Sequence, residues 1–152
     1  MNEDCFQLGM KALIQRADGK VLLLKKNKKS DLDLWDLPGG RIQRGEEVVD
    51  ALRREVLEET GLHDLGEIKP LMMVLTSIRI PVGDPDVGLI FSVYLCPLTQ
   101  NDVNIQLSSE HLNYVWVMPQ EAEAMLTANH PKELTQAIGR LEKVAIIPVY
   151  ET

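Results

Sequence analysis

Glu55, Glu58 and Glu59 fall close together in the segment Arg53 to Thr60, with Arg53 and Arg54 just ahead of them. On a helix each residue advances about 100° around the axis, so the three carboxylates share about 100° of one face. Leu52, Val56 and Val49 form a narrow apolar stripe beside them. Val48 and Ala51 lie on the carboxylate face itself and are small enough to leave space for a ligand. Glutamates three or four residues apart repel by roughly 0.2–0.5 kcal/mol per pair, and Glu55 faces two such neighbours. The arginines offset part of this, and a divalent cation offsets more. Magnesium takes hard oxygen ligands and keeps some of its waters, and a carboxylate site that leaves part of the metal shell open suits phosphate chemistry. Taken alone, a glutamate cluster on a helix is more often a solvated face. The surrounding spacing has to decide.

The elements that must position these side chains can be read along the chain. Phe6 to Arg16 and Lys20 to Lys26 are two apolar runs around Asp18-Gly19, which predicts a β-hairpin. Lys25 to Asp33 is polar and reads as a loop, and Pro38-Gly39-Gly40 reads as a backbone break. Glu46 to Glu59 contains no Gly or Pro and is rich in Ala, Leu, Glu and Arg; Thr60-Gly61 supplies its stop. Ile68 to Ile80 and Val87 to Leu98 read as strands on either side of a turn-rich loop, with Tyr114 to Val117 as a short strand further on. Pro119 to Leu126 and Lys132 to Lys143 read as helices, and Val144 to Tyr150 is a last apolar run. Strands on both sides of a central helix, with helices at the end, predict an α/β/α sandwich around a mixed β-sheet. Residues 1–152 fit a single domain.

The spacing then overturns the bland reading of the glutamates. Gly40, Glu46, Arg54, Glu55, Val56, Glu58, Glu59, Gly61 and Leu62 fill every defined position of the pattern Gly-x5-Glu-x7-Arg-Glu-U-x-Glu-Glu-x-Gly-U, where U is a bulky aliphatic residue. At ordinary residue frequencies a chance match is on the order of one in a million. The segment 40–62 resembles the box of the Nudix (MutT-like) hydrolase family, and the preceding hairpin and Trp-x-Leu-Pro-Gly-Gly extend the resemblance over most of the chain.

That resemblance implies a loop–helix–loop unit holding metal ions and a diphosphate. It makes Glu58 and Glu59 metal ligands, Glu55 a further ligand or the general base, and the Gly40 carbonyl an additional metal contact. Arg54 would orient a box glutamate by a charge-assisted hydrogen bond rather than touch substrate. Glu46 would open the helix, where a carboxylate also favours the dipole. Some family members place the base on a later loop; Glu110 is the candidate for that position here, against its reading as an ordinary loop acid. His111 could cooperate with it but reads more simply as a surface histidine. Arg41 and Arg44, next to the glycine pair, could reach a phosphate. Lys25, Lys26, Lys28 and Lys29 form a locally basic stretch that reads more simply as a solvated loop. Trp35 could stack on a base, although lone tryptophans mostly serve the core, as Phe91, Tyr94 and Trp116 are expected to do.

The reaction this implies is magnesium-dependent (with manganese as a substitute) attack of water on the diphosphate linkage of a small-molecule nucleotide. The ADP-sugar subgroup carries a proline downstream of the box that Leu75-Thr76-Ser77-Ile78 lacks, and no coenzyme A or NADH signature follows. A nucleoside triphosphate, cleaved to monophosphate and pyrophosphate, is therefore preferred. ADP-ribose or a nucleoside-diphosphate sugar is the alternative, and a non-catalytic nucleotide sensor is the alternative of another class. A net charge of -7 argues against nucleic acid and anionic membranes as partners. Two cysteines without C-x-x-C spacing, no apolar run of spanning length and no basic leader fit a reducing, cytoplasmic setting. A monomer and a homodimer are equally compatible with the sequence.

Overall fold

The computed structural model describes residues 2–27 and 34–142. Lys28, Lys29 and the run Val144 to Tyr150 lie outside the described residues. Among these residues seven strands form one mixed sheet: β1 (Phe6–Gln15), β2 (Val21–Lys26), β3 (Trp35–Asp36), β4 (Gly39–Arg41), β5 (Lys69–Ile80), β6 (Val87–Pro97) and β7 (His111–Val117). Three helices among the described residues flank it: α1 (Val48–Thr60), α2 (Pro119–Leu126) and α3 (Lys132–Gly139). No helix among the described residues is long and apolar enough to cross a membrane.

Alternation along the strands explains the layering. Met10, Ala12 and Ile14 of β1 and Leu22 and Leu24 of β2 pack with Ala51, Leu52 and Val56 of α1. Leu13, Val21 and Leu23 point the other way, toward Ala122 and Leu126 of α2 and Leu134 and Ile138 of α3. With helices on both faces every position in Val21–Leu24 is buried, so the run is continuously apolar rather than alternating. The expected α/β/α sandwich is the architecture observed.

The hairpin is the main departure from the expected topology. The turn closes through Arg16 N donating to Lys20 O (2.8 Å), and the β1–β2 ladder is registered at Gln15 opposite Val21. Beyond that point the strands part. β1 runs parallel to β6 along its whole length, whereas β2 pairs antiparallel with β7. β4 takes the vacated place beside β1, with Gly39 opposite Lys11 and Gly40 opposite Met10. Ala12 N donates to Pro38 O at 2.8 Å just below. The Pro-Gly-Gly segment, which reads as a break, therefore forms a short strand inside the sheet. Local sequence identifies a turn, but not how long its two arms stay paired.

Smaller differences follow from packing. α1 begins at Val48, not Glu46, with Glu47 at the N-cap. It ends as expected: Gly61 adopts φ 76° and donates to Leu57 O at 2.9 Å, a left-handed cap that glycine adopts without strain. Val49, expected in the apolar stripe, is exposed, while Val48 packs against the core and Ala51 is fully buried. Neither Val48 nor Ala51 leaves ligand space, because the sheet covers that side of the helix. β7 starts at His111, three residues earlier than its apolar pattern, because the backbone pairs with Lys26. α3 stops at Gly139 rather than at Lys143.

Candidate active site

The Gly39–Gly40 strand lies against the carboxylate face of α1, and each glycine makes room for one charged side chain. A Cβ at Gly40 would overlap the Glu55 carboxylate. A Cβ at Gly39 would overlap the Met10 carbonyl and press on Lys11 Cδ. The amide of Gly39 donates to Glu59 Oε2 at 2.9 Å. The box thus folds back on itself: its first glycine meets its first helical glutamate, and the residue before meets its last.

Arg54 organises the acids. Its Nε and Nη2 donate to the two oxygens of Glu46 at 2.7 and 2.9 Å, a bidentate pair. Its Nη1 donates to Glu55 Oε1 at 2.8 Å and, at 3.4 Å, to Glu58 Oε2. Glu46 Oε1 also accepts from Gln43 N at 2.8 Å. Glu46 therefore precedes the helix and ties the loop to Arg54, instead of opening the helix as expected.

Burial separates the three helical glutamates. Glu58 is largely exposed, with its side chain at 57%, whereas Glu59 is 6% exposed. Burial pushes the Glu59 carboxyl up to about 7, and nearby Glu55 and Asp36 add to this; the Gly39 amide and Lys11 oppose it. One oxygen each of Glu55, Glu58 and Glu59 accepts no hydrogen bond among the described residues. No three acidic, histidine or cysteine side chains among those residues converge into a ready metal cage. The reason is visible in the geometry. The guanidinium of Arg54 supplies the counter-charge between Glu55 and Glu58, and Glu59 turns toward Gly39. The donor set still fits a divalent cation: three carboxylates on one helix face, each with an oxygen that accepts no hydrogen bond among the described residues, beside the Gly39–Gly40 strand.

A cavity of about 300 Å³ opens next to Glu59. Glu110 and His111 line it too, together with Gly39, Lys11, Lys26 and Asp36. Glu110 is held through its backbone, its carbonyl accepting from Asn27 N at 3.1 Å. His111 is not the surface histidine expected. It is partly buried, its Nδ1 is sealed without a hydrogen-bond partner among the described residues, and burial lowers its pKa below the ordinary value. A second cavity of about 180 Å³ shares Lys11, Lys26 and Asp36 with the first and is walled by Leu89, Phe91 and Ile78.

Asp36, which nothing in the sequence singles out, lies between the two cavities at 8% exposure. It accepts Lys11 Nζ on both oxygens (3.1 and 3.0 Å) and the Leu37 amide at 2.8 Å. Lys26 Nζ stands 3.5 Å away and His130 Nε2 3.0 Å away. Burial opposes its ionisation, but Lys11, His130 and Lys26 outweigh that and hold the carboxyl well below the usual range. His130 is fixed in turn, its Nδ1 lying 2.8 Å from Asn129 Oδ1 and 3.1 Å from Leu126 O. Lys11 also sits 5.1 Å from the centroid of the Phe91 ring. A lysine alternating with apolar residues in Leu8–Leu13 was the one available signal, and an apolar strand containing a charge reads as an edge rather than as a site.

The other expected residues distribute unevenly. Arg41 lines the second cavity while its Nη1 donates to Gln7 Oε1 at 2.7 Å. Arg44 is exposed and lines neither cavity. Trp35 packs against the α2–α3 side of the core, its carbonyl accepting from Asn129 Nδ2 at 3.2 Å, and also lines neither cavity. Tyr94 and Trp116 pack on the α1 side. Phe91 belongs to the core, as expected, and also forms cavity wall.

Comparison with known proteins places this geometry. A Bacillus subtilis protein described as a putative 8-oxo-dGTP diphosphatase is 43% identical over 53 residues, covering 35% of this chain and 34% of its own length. The nucleoside triphosphatase NudI of Salmonella agona is 34% identical over 116 residues, covering 72% of this chain and 79% of its own. Other curated relatives are longer than the part matched, which spans 14% to 51% of their length. Among solved structures, the MutT protein of Methanosarcina mazei superposes with a TM-score of 0.69 at 26% identity, over 92% of this chain and 95% of that one. The NUDIX domain model matches residues 6–138, with the helix, the glycine pair and both cavities inside the match, and the chain belongs to the Nudix family.

Proposed function

We propose that this chain is a divalent-metal-dependent pyrophosphohydrolase that attacks the diphosphate linkage of a free nucleotide, with a nucleoside triphosphate as preferred substrate and magnesium as the natural ion. The observation that carries the reading is the row Glu55, Glu58 and Glu59 on α1, set against the Gly39–Gly40 strand at the mouth of a cavity. The resemblance of the triphosphate-cleaving NudI over most of both chains supports the substrate class. The net charge of -7 supports a small nucleotide rather than a nucleic acid.

In this reading Glu55, Glu58, Glu59 and the Gly40 backbone hold the cation. When bound, it neutralises the diphosphate oxygens and makes phosphorus a better electrophile. Arg54, anchored by Glu46, fixes the rotamer of Glu55 so that one oxygen stays free. Glu110, which lines the same cavity as Glu59, accepts the proton of the attacking water, and half-buried His111 beside it shields that proton transfer from bulk solvent. Attack proceeds in line with the leaving phosphate oxygen. Gly39 keeps Glu59 turned toward the strand by its amide.

The test is a panel of nucleoside triphosphates, ADP-ribose and nucleoside-diphosphate sugars, assayed with and without magnesium, with Glu59→Gln and Glu110→Gln as variants. Triphosphate cleavage to monophosphate and pyrophosphate, lost without metal and in Glu59→Gln, is expected. A sugar phosphate as the best product would move the substrate to the ADP-ribose class. Tight nucleotide binding with no turnover would make the chain a sensor. A Glu110→Gln protein with an unchanged pH profile would return the base role to Glu55.

A further inference from the structure

β5 pairs with β6 on one side and with no other strand among the described residues, so its second edge offers unpaired backbone donors and acceptors. Proteins ordinarily guard such an edge with charges, prolines or bulges. β5 does so only at its ends. Lys69 and Pro70 stand at one end. At the other, ahead of Arg79, Thr76 interrupts the ladder: its Oγ1 donates to Leu89 O at 2.8 Å and accepts from Ile78 N at 3.2 Å. Between these devices residues 72–75 keep regular register with β6, and residues 70–78 carry no charge in a chain that is 26% charged.

The side chains of the unguarded stretch are apolar and open. Register sets Leu8, Ile90 and Leu75 in one row across β1, β6 and β5, and Met10, Ser92 and Met73 in the next, all on one face of the sheet. α1 covers Met10 at the β1 end of these rows. The β5 end is bare, with Met73 and Leu75 at 66% and 61% exposure. Leu75 and Ser77 also line a cavity of about 330 Å³ with Asn129 and Pro131 of the turn between α2 and α3, so there is room beside the edge. An uncharged edge strand with an open apolar face is a template for another strand. Charge selects the strand that fits. Near the end of β5, Arg79 lies between Asp4 (2.7 Å) and Asp86 (3.0 Å), a group one positive charge short of neutral. At the start of β5, Lys69 makes a long, exposed contact to Glu67 at 3.9 Å and has charge to give. The two ends of β5 are therefore complementary to each other when two such strands run antiparallel.

We propose that the free edge of β5 is the contact between two copies of this chain, paired antiparallel about a two-fold axis so that their sheets join into one. With Val74 opposite its counterpart, Met73 of each copy faces Leu75 of the other, and Lys69 of each comes level with the Asp4–Arg79–Asp86 group of the other. The contact uses the same patch on both copies and closes at two. Such pairing is independent of the reaction proposed above.

Analytical ultracentrifugation of the full chain over a concentration series, read alongside hydrogen–deuterium exchange of the β5 amides, decides the matter. A monomer–dimer equilibrium is expected, with the β5 amides protected in step with the dimer fraction. Leu75→Lys and Met73→Lys change side chains already exposed in the monomer, so circular dichroism should stay native. Each should raise the dimer dissociation constant about ten-fold or more, because the two-fold axis sets each new charge against an apolar neighbour twice. Lys69→Glu should weaken association at low salt, with the gap from wild type closing as salt screens it. A monomer at every concentration, or assemblies larger than two, would overturn the pairing. So would a dimer whose dissociation constant is unchanged in both Leu75→Lys and Met73→Lys, since it would use another face. β5 protection that does not vary with concentration would overturn it as well, by showing that the chain's own residues cover the edge.

Discussion

Two buried carboxylates face the same cavity of about 300 Å³ and are shifted in opposite directions. Glu59 projects from a helix among other glutamates, and burial pushes its carboxyl up to about 7. Asp36 projects from a two-residue strand among Lys11, Lys26 and His130, and despite its burial it is held well below the ordinary range. Desolvation acts on both; the sign of the neighbours decides. At Glu59 burial, with Glu55 and Asp36 adding to it, outweighs the Gly39 amide and Lys11. Asp36 already has its cations and stays ionised. The difference teaches where each side of the site gets its charge. The acidic side is the one that the proposed function fills with a cation, and the basic side is assembled from the chain's own side chains.

The comparison can be broken most severely at the glycine that separates the two sides. Gly40→Ala puts a methyl group into the Glu55 carboxylate. Turnover should fall about a hundred-fold, the scale of a displacement of about 1 Å at a reacting group, while circular dichroism stays native. An Ala variant of near-normal kcat would mean that Glu55 need not approach the strand.

The next effects are on stability, and they carry opposite pH signs. Asp36 has a depressed carboxyl, so the unfolded chain binds its proton more tightly than the folded one. Its contribution is present above the unfolded value of about 3.9 and is lost as pH falls below it. Asp36→Asn should cost about 3 kcal/mol at pH 7, as breaking one side of a buried ion cluster does. In urea titrations the gap between wild type and variant should narrow below about pH 4. A gap constant with pH would mean that Asp36 is not held ionised by its neighbours.

Glu59 runs the other way. Its carboxyl is raised from 4.5 to about 7, so the folded state binds the proton more tightly. That contribution is full below about 4.5 and is lost as pH rises through about 7. At about 1.4 kcal/mol per unit, the metal-free protein should lose on the order of 3 kcal/mol across that window. Glu59→Gln should flatten this slope, and saturating magnesium should flatten it as well. A wild-type slope indistinguishable from that of Glu59→Gln would remove burial as the dominant influence on Glu59.

The smallest effect sharpens the local half of the comparison. Gly61 closes α1 at φ 76°, and a Cβ there would meet Gln106 Cβ at 3.1 Å. Gly61→Ala should cost about 1 kcal/mol in thermal or urea unfolding, with turnover little changed because the carboxylates lie on the preceding turns. A loss of activity exceeding the loss of stability would show that the end of the helix, and not only its face, sets the geometry of Glu58 and Glu59.

The acidic side was legible in the sequence because helix geometry fixes it locally. Glu55, Glu58 and Glu59 are neighbours on any helix of 3.6 residues per turn, Gly61 is a readable stop, and the spacing back to Gly40 completes the unit. The layering was legible too, since the all-apolar run Val21–Leu24 demands cover on both faces. Long-range pairing lay beyond it. Nothing near Asp18-Gly19 says that β1 and β2 part after Gln15 opposite Val21, that Pro38-Gly39-Gly40 enters the sheet beside β1, or that His111 joins a strand. Those choices depend on contacts between residues far apart in sequence, and they create the slot in which Lys11, Lys26, Asp36 and His130 meet, the Asp36–His130 contact alone spanning 94 residues. A local pattern determines which groups share a helix face; only the packed sheet decides which distant charges share a cavity, because their burial is affordable only where all of them arrive together.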